Sequence, residues 1–204
     1  RLHQLTRRSF EGNFTGIPID CPHREKNGWT GDAQLACETG LFNYGLAESY
    51  AAFMQTMADC QRPSGQLPGI APTGGWGFNW GSGPVWDAAF IVIPWNVYLY
   101  TGNHSLIEMN YEPMLRYIRY LGTLADRRHI VKFGLGDWCH CDPSRMVDAC
   151  VTSTAYYFYL TTLMAKCARL LANREDADEL TALAAEIAAA FNDAFYHGDG
   201  TYAK

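Results

Sequence analysis

Asn43-Tyr44-Gly45 interrupts a helical apolar pattern, and how those three residues are read decides the fold. The pattern runs from Gly31 through Leu35, Leu41 and Phe42, then resumes from Leu46 to Cys60 with Tyr50, Phe53, Met54 and Met57 on one face. Taken as helix, the three residues give one long rod; taken as a turn, they give two antiparallel helices. Each antiparallel helix carries the chain from one end of the layer to the other. A single rod would therefore put the residues before Gly31 at the opposite end from two later tryptophan-bearing loops, 61–86 and 127–149. A turn gives long loop, helix, short turn, helix, repeated three times, with every long loop on one face. The regular reading predicts hairpins at 31–60, 87–126 and 151–195.

Working outward, residues 61–86 are rich in Gly and Pro and carry Trp76, Trp80 and Trp86, so most of their length is a folded loop. From Asp87 to Tyr100 the chain is strongly apolar and helical in pattern despite Pro94, and Thr101-Gly102-Asn103 is a tight stop. Leu106, Met109, Met114, Leu115, Ile118 and Leu121 mark the next helix, in which Pro113 is expected to cause a break or a fresh start. The third pair is split by Ala172-Asn173-Arg174 and ends in an alanine-rich helix of high intrinsic propensity. Residues 1–30 form an approach segment, with a short helix over 2–10, and a catalytic loop. No period-2 strand of useful length occurs, so the predicted class is all-α. Three hairpins side by side leave the end helices uncovered unless further hairpins close a ring. The expectation is therefore half of an α/α toroid, a single truncated domain over 31–204, with a funnel where the long loops meet. A start at Arg1 and a stop just after His197-Gly198-Asp199-Gly200 read the same way, as a piece of a longer protein.

Composition narrows the partners. With 48% hydrophobic and 18% charged residues the chain is an ordinary globular protein, and a net charge of -5 without a basic cluster argues against nucleic acid. No apolar run reaches the roughly 18 residues of a membrane span, and Arg1-Leu2-His3-Gln4 has no signal-peptide character. The compartment is left open between cytoplasm and periplasm. Of the seven cysteines, Cys37, Cys60, Cys150 and Cys167 lie in apolar helical segments and act as small hydrophobes. Cys139-His140-Cys141-Asp142 is too tightly spaced to converge on one tetrahedral ion, so neither a metal nor a cofactor is expected.

The densest chemistry lies in Asp20-Cys21-Pro22-His23-Arg24-Glu25-Lys26-Asn27-Gly28-Trp29-Thr30-Gly31-Asp32. Glu25 with Asp20 or Asp32 can supply an acid and a charged carboxylate. Trp29 is close enough in sequence to desolvate one of them, and burial or a neighbouring like charge raises a carboxyl pKa as a general acid requires. Arg24 would oppose that shift if it pointed at Glu25. The competing reading gives Asp32 to a helix cap, Asp20 to bracing the loop and Arg24 to an ion pair. Sugar rings stack their C–H faces on indoles while their hydroxyls bond to carboxylates. Trp29, Trp76, Trp80, Trp86 and Trp138 beside Asp87 and Asp137 thus point to carbohydrate recognition, against an aromatic loop core, chiefly for Trp76 and Trp86. His23 and His140 read as hydrogen-bonding loop residues.

The Asp20–Asp32 stretch with Ala33-Gln34 resembles the signature of bacterial α-L-rhamnosidases, glycoside hydrolase family 78. Trp86-Asp87-Ala88-Ala89, Pro94-Trp95, Tyr98 to Gly102 and Gly136-Asp137-Trp138 follow in order as further landmarks. The resemblance implies an (α/α)6 barrel of six hairpins, of which these are about the first three. It also implies an inverting hydrolase that removes terminal α-L-rhamnose from oligosaccharides or glycosides. Glu25 matches the general acid, Asp20 and Asp32 match residues that hold the sugar, and Trp29 and Trp138 match sugar-contacting aromatics. Arg24, Asp87 and Asp137 complete the substrate-binding set. The run Glu25-Lys26-Asn27 is shorter than the acid-rich run common in the family, and Ser82-Gly83-Pro84-Val85 departs from its glycine-acid pattern. The family's base is a later glutamate with no counterpart here, so the chain is expected to need the rest of a parent chain and to be inactive alone. The alternative is a non-catalytic carbohydrate-binding or helical scaffold protein, which has no need of Glu25. A helical toroid acting on isoprenoids would want aspartate-rich metal motifs, and the sequence has none.

Overall fold

The computed structural model describes residues 1–202. Among them α-helices account for the regular structure and β pairing is confined to isolated bridges. Helix α1 spans Leu2–Gly12, α2 Thr30–Asn43, α3 Ala47–Cys60, α4 the single turn Pro84–Asp87, and α5 Ala89–Thr101. Helices α6, α7 and α8 span Ser105–Leu124, Ala149–Leu170 and Arg174–Phe195. The turn between α2 and α3 is where the sequence put it: Tyr44 is extended (φ -144°, ψ 153°), which ends α2, and Tyr50 N–H donates to Leu46 C=O at 2.9 Å as α3 begins. At the end of α5, Gly102 takes φ 72° and donates its N–H to Tyr98 C=O, an αL cap that needs no side chain. Asp148 caps α7 by accepting the Cys150 N–H at 2.8 Å.

The hairpins α2/α3, α5/α6 and α7/α8 stand side by side as consecutive pairs of an α/α toroid. Helix α5 packs against both α2 and α7, the short α4 bridges those two, and α3 packs on α6. The central inner helix, α5, is buried almost all round from Ala89 to Pro94, as expected for a helix with neighbours on every side. Its neighbours bring amphipathic faces: Tyr50, Phe53, Met54 and Met57 from α3, Met114, Tyr117, Ile118 and Leu121 from α6, and Tyr157, Leu160 and Met164 from α7 are all buried. Each such side chain contributes about 1.5–3 kcal/mol relative to exposure. Gly40 lets α1 lie close, because a Cβ there would stand 2.6 Å from the Phe10 ring.

Three expectations are corrected. Helix α6 runs unbroken through Pro113: the one carbonyl deprived of its donor, that of Met109, sits where α6 exposes its surface to water, and the Pro113 carbonyl accepts from Gln61 at 3.0 Å. Leu35 and Met109 follow the apolar pattern but are exposed. The third concerns Asp87, which is fully buried beneath α4 rather than open to a ligand. Its Oδ2 lies 2.9 Å from Gly83 N, 3.0 Å from the Tyr117 hydroxyl and 3.1 Å from Ser82 Oγ, tying α4 to α6 and to the loop before it. Burial pushes its pKa up to about 8 against the pull of those three donors. The neutral acid fits its surroundings. With its hydroxyl proton on Leu67 C=O at 2.7 Å, Ser82 leaves its oxygen able to accept from a protonated Asp87.

Between the ordinary carboxylate range and about pH 8, the folded chain thus holds a proton that the unfolded chain releases. Stability is expected to fall as pH rises across that window and to level off above it, with a steepest slope of about 1.4 kcal/mol per pH unit. Urea unfolding at a series of pH values checks this. Asp87→Asn should lack that part of the slope, and parallel profiles for the two chains would show that Asp87 does not hold the proton.

Candidate active site

The loop before α2 is folded by its own polar groups. Asp20 N–H donates to Asn27 C=O at 3.1 Å, and Asn27 N–H donates to Asp20 Oδ1 at 2.9 Å, which closes the loop around Glu25. Lys26 turns the chain in the left-handed region at φ 56°. One oxygen of Asp20 therefore braces the loop, as the structural reading of the sequence allowed, while the residue still lines the cavity described below.

The loop between α3 and α4 locks onto this one backbone to backbone. Ala71 N–H donates to Gly28 C=O at 2.9 Å, Thr30 gives both its N–H and its hydroxyl to Gly69 C=O at 2.9 and 3.1 Å, and Trp29 pairs with Ile70 in an isolated bridge. A side chain at Gly28 would collide with the Ala71 carbonyl, so the approach of the two loops depends on that glycine, and one at Gly69 would collide with the Gly81 carbonyl, where the second loop folds on itself. Gly81, at φ 91°, leaves the space that the Trp29 ring occupies: a Cβ there would lie 2.8 Å from the ring. The loop between α6 and α7 closes in similarly at Gly83 and Gly134, and Ser153 on α7 donates to Phe133 C=O at 2.9 Å.

All three loops consequently meet on one face around a cavity of about 580 Å³. Asp20, Glu25 and Asp32 line one side, and Trp80, Asp137 and Trp138 face them from the later loops. Trp29 is only 8% exposed and is the hub of the tryptophans: its ring meets Trp76 and Trp80 edge to face at 5.8 and 5.6 Å, and Trp80 in turn meets Trp138 at 5.7 Å. The Trp29 indole N–H donates to Glu25 Oε2 at 2.8 Å. Glu25 itself is exposed, so Trp29 orients this carboxylate and does not wall it off from water.

The raised carboxyl on this side is Asp32. It stands in the first turn of α2 without capping the helix, since the cap position is Trp29. Solvent reaches it, but the cavity walls displace part of its hydration. That raises its pKa against its own backbone N–H, and the charges of Asp20 and Glu25 add to the rise. Asp137 is half-buried with His140 Nε2 at 4.0 Å, and His140 Nδ1 accepts the Asp142 N–H at 3.0 Å, the loop-bracing role foreseen for it. Arg24 is exposed, does not line the cavity, and makes no ion pair among the described residues. Asp87 stays below, in the core. Among the described residues no three His, Cys, Asp or Glu side chains converge to hold a metal ion.

Sequence reasoning missed Gln34, Thr152 and Tyr156, which also line the cavity. Gln34 Nε2 donates to Val85 C=O at 3.3 Å and to the Tyr156 hydroxyl at 3.4 Å, joining α2 to α7 behind the carboxylates. Thr152 and Tyr156 are four apart on α7 and so share a face, but only the docking of α7 on α4 and α5 tells which face meets the cavity.

Residues 1–204 match the family described as bacterial alpha-L-rhamnosidase 6 hairpin glycosidase domain. An alpha-L-rhamnosidase of Formosa agariphila is 33% identical over 96% of this chain and 22% of its own length; one from Alteromonas sp. (strain LOR) is 29% identical over 98% and 22%. The structure of an alpha-L-rhamnosidase from Dictyoglumus thermophilum superposes with a TM-score of 0.88 at 32% identity, covering 96% of this chain and 22% of that one. The Streptomyces avermitilis alpha-L-rhamnosidase complexed with L-rhamnose gives 0.90 at 28% identity, covering 98% and 19%. The chain thus spans about a fifth of the length of the relatives it matches.

Because Gly81 makes room for Trp29 and Trp29 holds Glu25, Gly81→Ala is expected to displace the indole, lowering stability by about 1–3 kcal/mol. Denaturant unfolding reads the loss of stability, and the near-UV circular dichroism of the tryptophan cluster reads the displacement of the indole. An unchanged near-UV spectrum would mean that the ring does not depend on Gly81.

Proposed function

The chain belongs to the bacterial α-L-rhamnosidase six-hairpin glycosidase family, and on that premise we propose that it forms one wall of the active site of an inverting glycoside hydrolase that releases terminal α-L-rhamnose. The observation that carries this reading is the meeting of Glu25, Asp20 and Asp32 with Trp80, Asp137 and Trp138 around one cavity.

In this reaction Glu25 is the general acid. The Trp29 N–H occupies Oε2, so the proton to be delivered sits on Oε1, and the hydrogen bond fixes where that oxygen points. The proton passes to the glycosidic oxygen as the bond from that oxygen to the anomeric carbon breaks. A water molecule adds to the anomeric carbon from the opposite face and gives up its own proton to a carboxylate base. One water is consumed, and the configuration inverts. The base of an inverting enzyme stands roughly 6.5–9.5 Å from the acid, leaving room for that water. We place it on a hairpin beyond the three described. Asp20 and Asp32 accept hydrogen bonds from the sugar hydroxyls, and the indoles of Trp80 and Trp138 take the ring's C–H faces. Asp137 serves as a further acceptor. Arg24, which does not line the cavity, and Asp87, buried in the core, have no part in the proposed contacts.

A non-catalytic carbohydrate-binding protein would use the tryptophans and carboxylates equally well but would have no need of Glu25. Glu25→Gln in the full-length chain separates the two readings: kcat for an aryl α-L-rhamnoside is expected to fall by about 10²–10⁴-fold while L-rhamnose binding, followed by calorimetry, persists. Unchanged turnover would remove the acid role from Glu25. The 204 residues alone are expected to release no rhamnose from the same substrate, and measurable release by them would place the base within this chain.

A further inference from the structure

Of the nine asparagines in the chain, Asn27 is the one that a glycine follows. That pairing has a chemistry of its own: the backbone nitrogen of the next residue can attack an asparagine side-chain carbonyl, and glycine has no Cβ to obstruct the approach. The loop leaves both reacting groups free. Among the described residues neither the Gly28 N–H nor the Asn27 side chain has a hydrogen-bond partner, although the backbone N–H groups on either side, of Asn27 and Trp29, are both engaged. Asn27 is also only half-buried. By contrast Asn13, Asn43, Asn103, Asn110 and Asn192 each tie the side-chain amide to a partner. Nor can the glycine be exchanged, because a Cβ at Gly28 would collide with the Ala71 carbonyl. The residue that lets the two loops meet is thus the one that leaves Asn27 open to attack.

What the reaction changes is set by the Asn27 carbonyl. It accepts the Asp20 N–H at 3.1 Å and the Trp29 N–H at 2.8 Å, so one backbone oxygen both closes the loop and turns the chain into Trp29. In the first step a bond forms from Gly28 N to Asn27 Cγ as the bond from Cγ to Nδ2 breaks. The Gly28 amide proton leaves with that nitrogen as ammonia, and a succinimide ring remains. Water then opens the ring, at Cγ to give an ordinary aspartyl residue or at the α-carbonyl to give an isoaspartyl one. One water is consumed, one ammonia is released, and nothing is oxidised. In the isoaspartyl product the backbone runs through the former side chain and is longer by a methylene, and the carbonyl that held Asp20 and Trp29 becomes a pendant carboxylate. Trp29 is then no longer held where its indole N–H meets Glu25 Oε2.

We propose that Asn27-Gly28 is a self-modification site, at which deamidation releases Trp29 from Glu25; the modification stands by itself, and its effect on turnover rests on the glycosidase reading above. The full-length chain is held at mildly alkaline pH in ordinary and in heavy-oxygen water, sampled over time and mapped by proteolysis and mass spectrometry. The same samples give kcat/KM for an aryl α-L-rhamnoside and the near-UV circular dichroism of the tryptophan cluster. Residue 27 is expected to gain about one mass unit ahead of the other asparagines of the chain and to take up the heavy oxygen. The isoaspartyl species, separated by ion exchange, is expected to show an altered near-UV spectrum and a kcat/KM lower by about 10²-fold. Asn27→Gln, whose side chain must close a larger ring, is expected to keep its own starting kcat/KM through the same incubation. Conversion of residue 27 no faster than that of the other asparagines overturns the site. An isoaspartyl species with an unchanged near-UV spectrum or an unchanged kcat/KM overturns the link through Trp29 to Glu25. A fresh chain that hydrolyses no rhamnoside overturns the glycosidase reading instead, and the mass and near-UV measurements still decide the modification.

Discussion

The close backbone approach of Gly28, in the loop before α2, to Ala71, in a loop folded on itself where Gly69 meets Gly81, is the constraint on which the cavity depends. Loops ordinarily meet through side chains, which leave several ångströms between backbones. Here the carbonyl of Gly28 and that of Gly69 take donors directly from the opposite strand of chain, and the Trp29 ring is enclosed between the two loops. Once Trp29 is fixed, its N–H fixes Glu25 and its ring edge-packs the exposed tryptophans. The chemistry of the first loop is thus set by glycines in the second, some 40 to 50 positions later in the sequence.

Beneath the cavity the same loops are held by a different device. Asp87 Oδ2 meets Gly83 N–H, the Tyr117 hydroxyl and Ser82 Oγ in the core, so α4 is pinned between the inner helices while its preceding residue Trp86 packs against Gly31. The contrast between Asp87 and the first-loop acids is one of solvation. Asp32 stands on an open cavity where only part of its hydration is displaced, whereas full burial drives Asp87 toward its neutral form. Four acids of similar appearance in the sequence thus divide between an open site and a closed brace.

A division of labour within the tryptophans follows the same logic. Trp29 is enclosed and serves Glu25; Trp80 and Trp138 line the cavity; Trp76 extends the aromatic surface past its mouth.

The sequence by itself determined the helices, the turn at Asn43-Tyr44-Gly45 and hence the shared face of the long loops, because helical period and turn propensity are local properties written in neighbouring residues. It also exposed the Asp20–Asp32 stretch and Trp138 as candidates, because side chains of that chemistry concentrated on loops are conspicuous in any arrangement. Only the tertiary structure decided that Asp87 points into the core, that Arg24 is left out of the cavity lining, that Trp29 orients Glu25 without burying it, and that Gln34 and Tyr156 reach the cavity at all. Each of those outcomes depends on a partner distant along the chain: Tyr117 for Asp87, Gly81 for Trp29, α7 for Gln34. The direction in which an irregular loop aims a side chain is fixed by what it packs against, and no spacing within the loop encodes it.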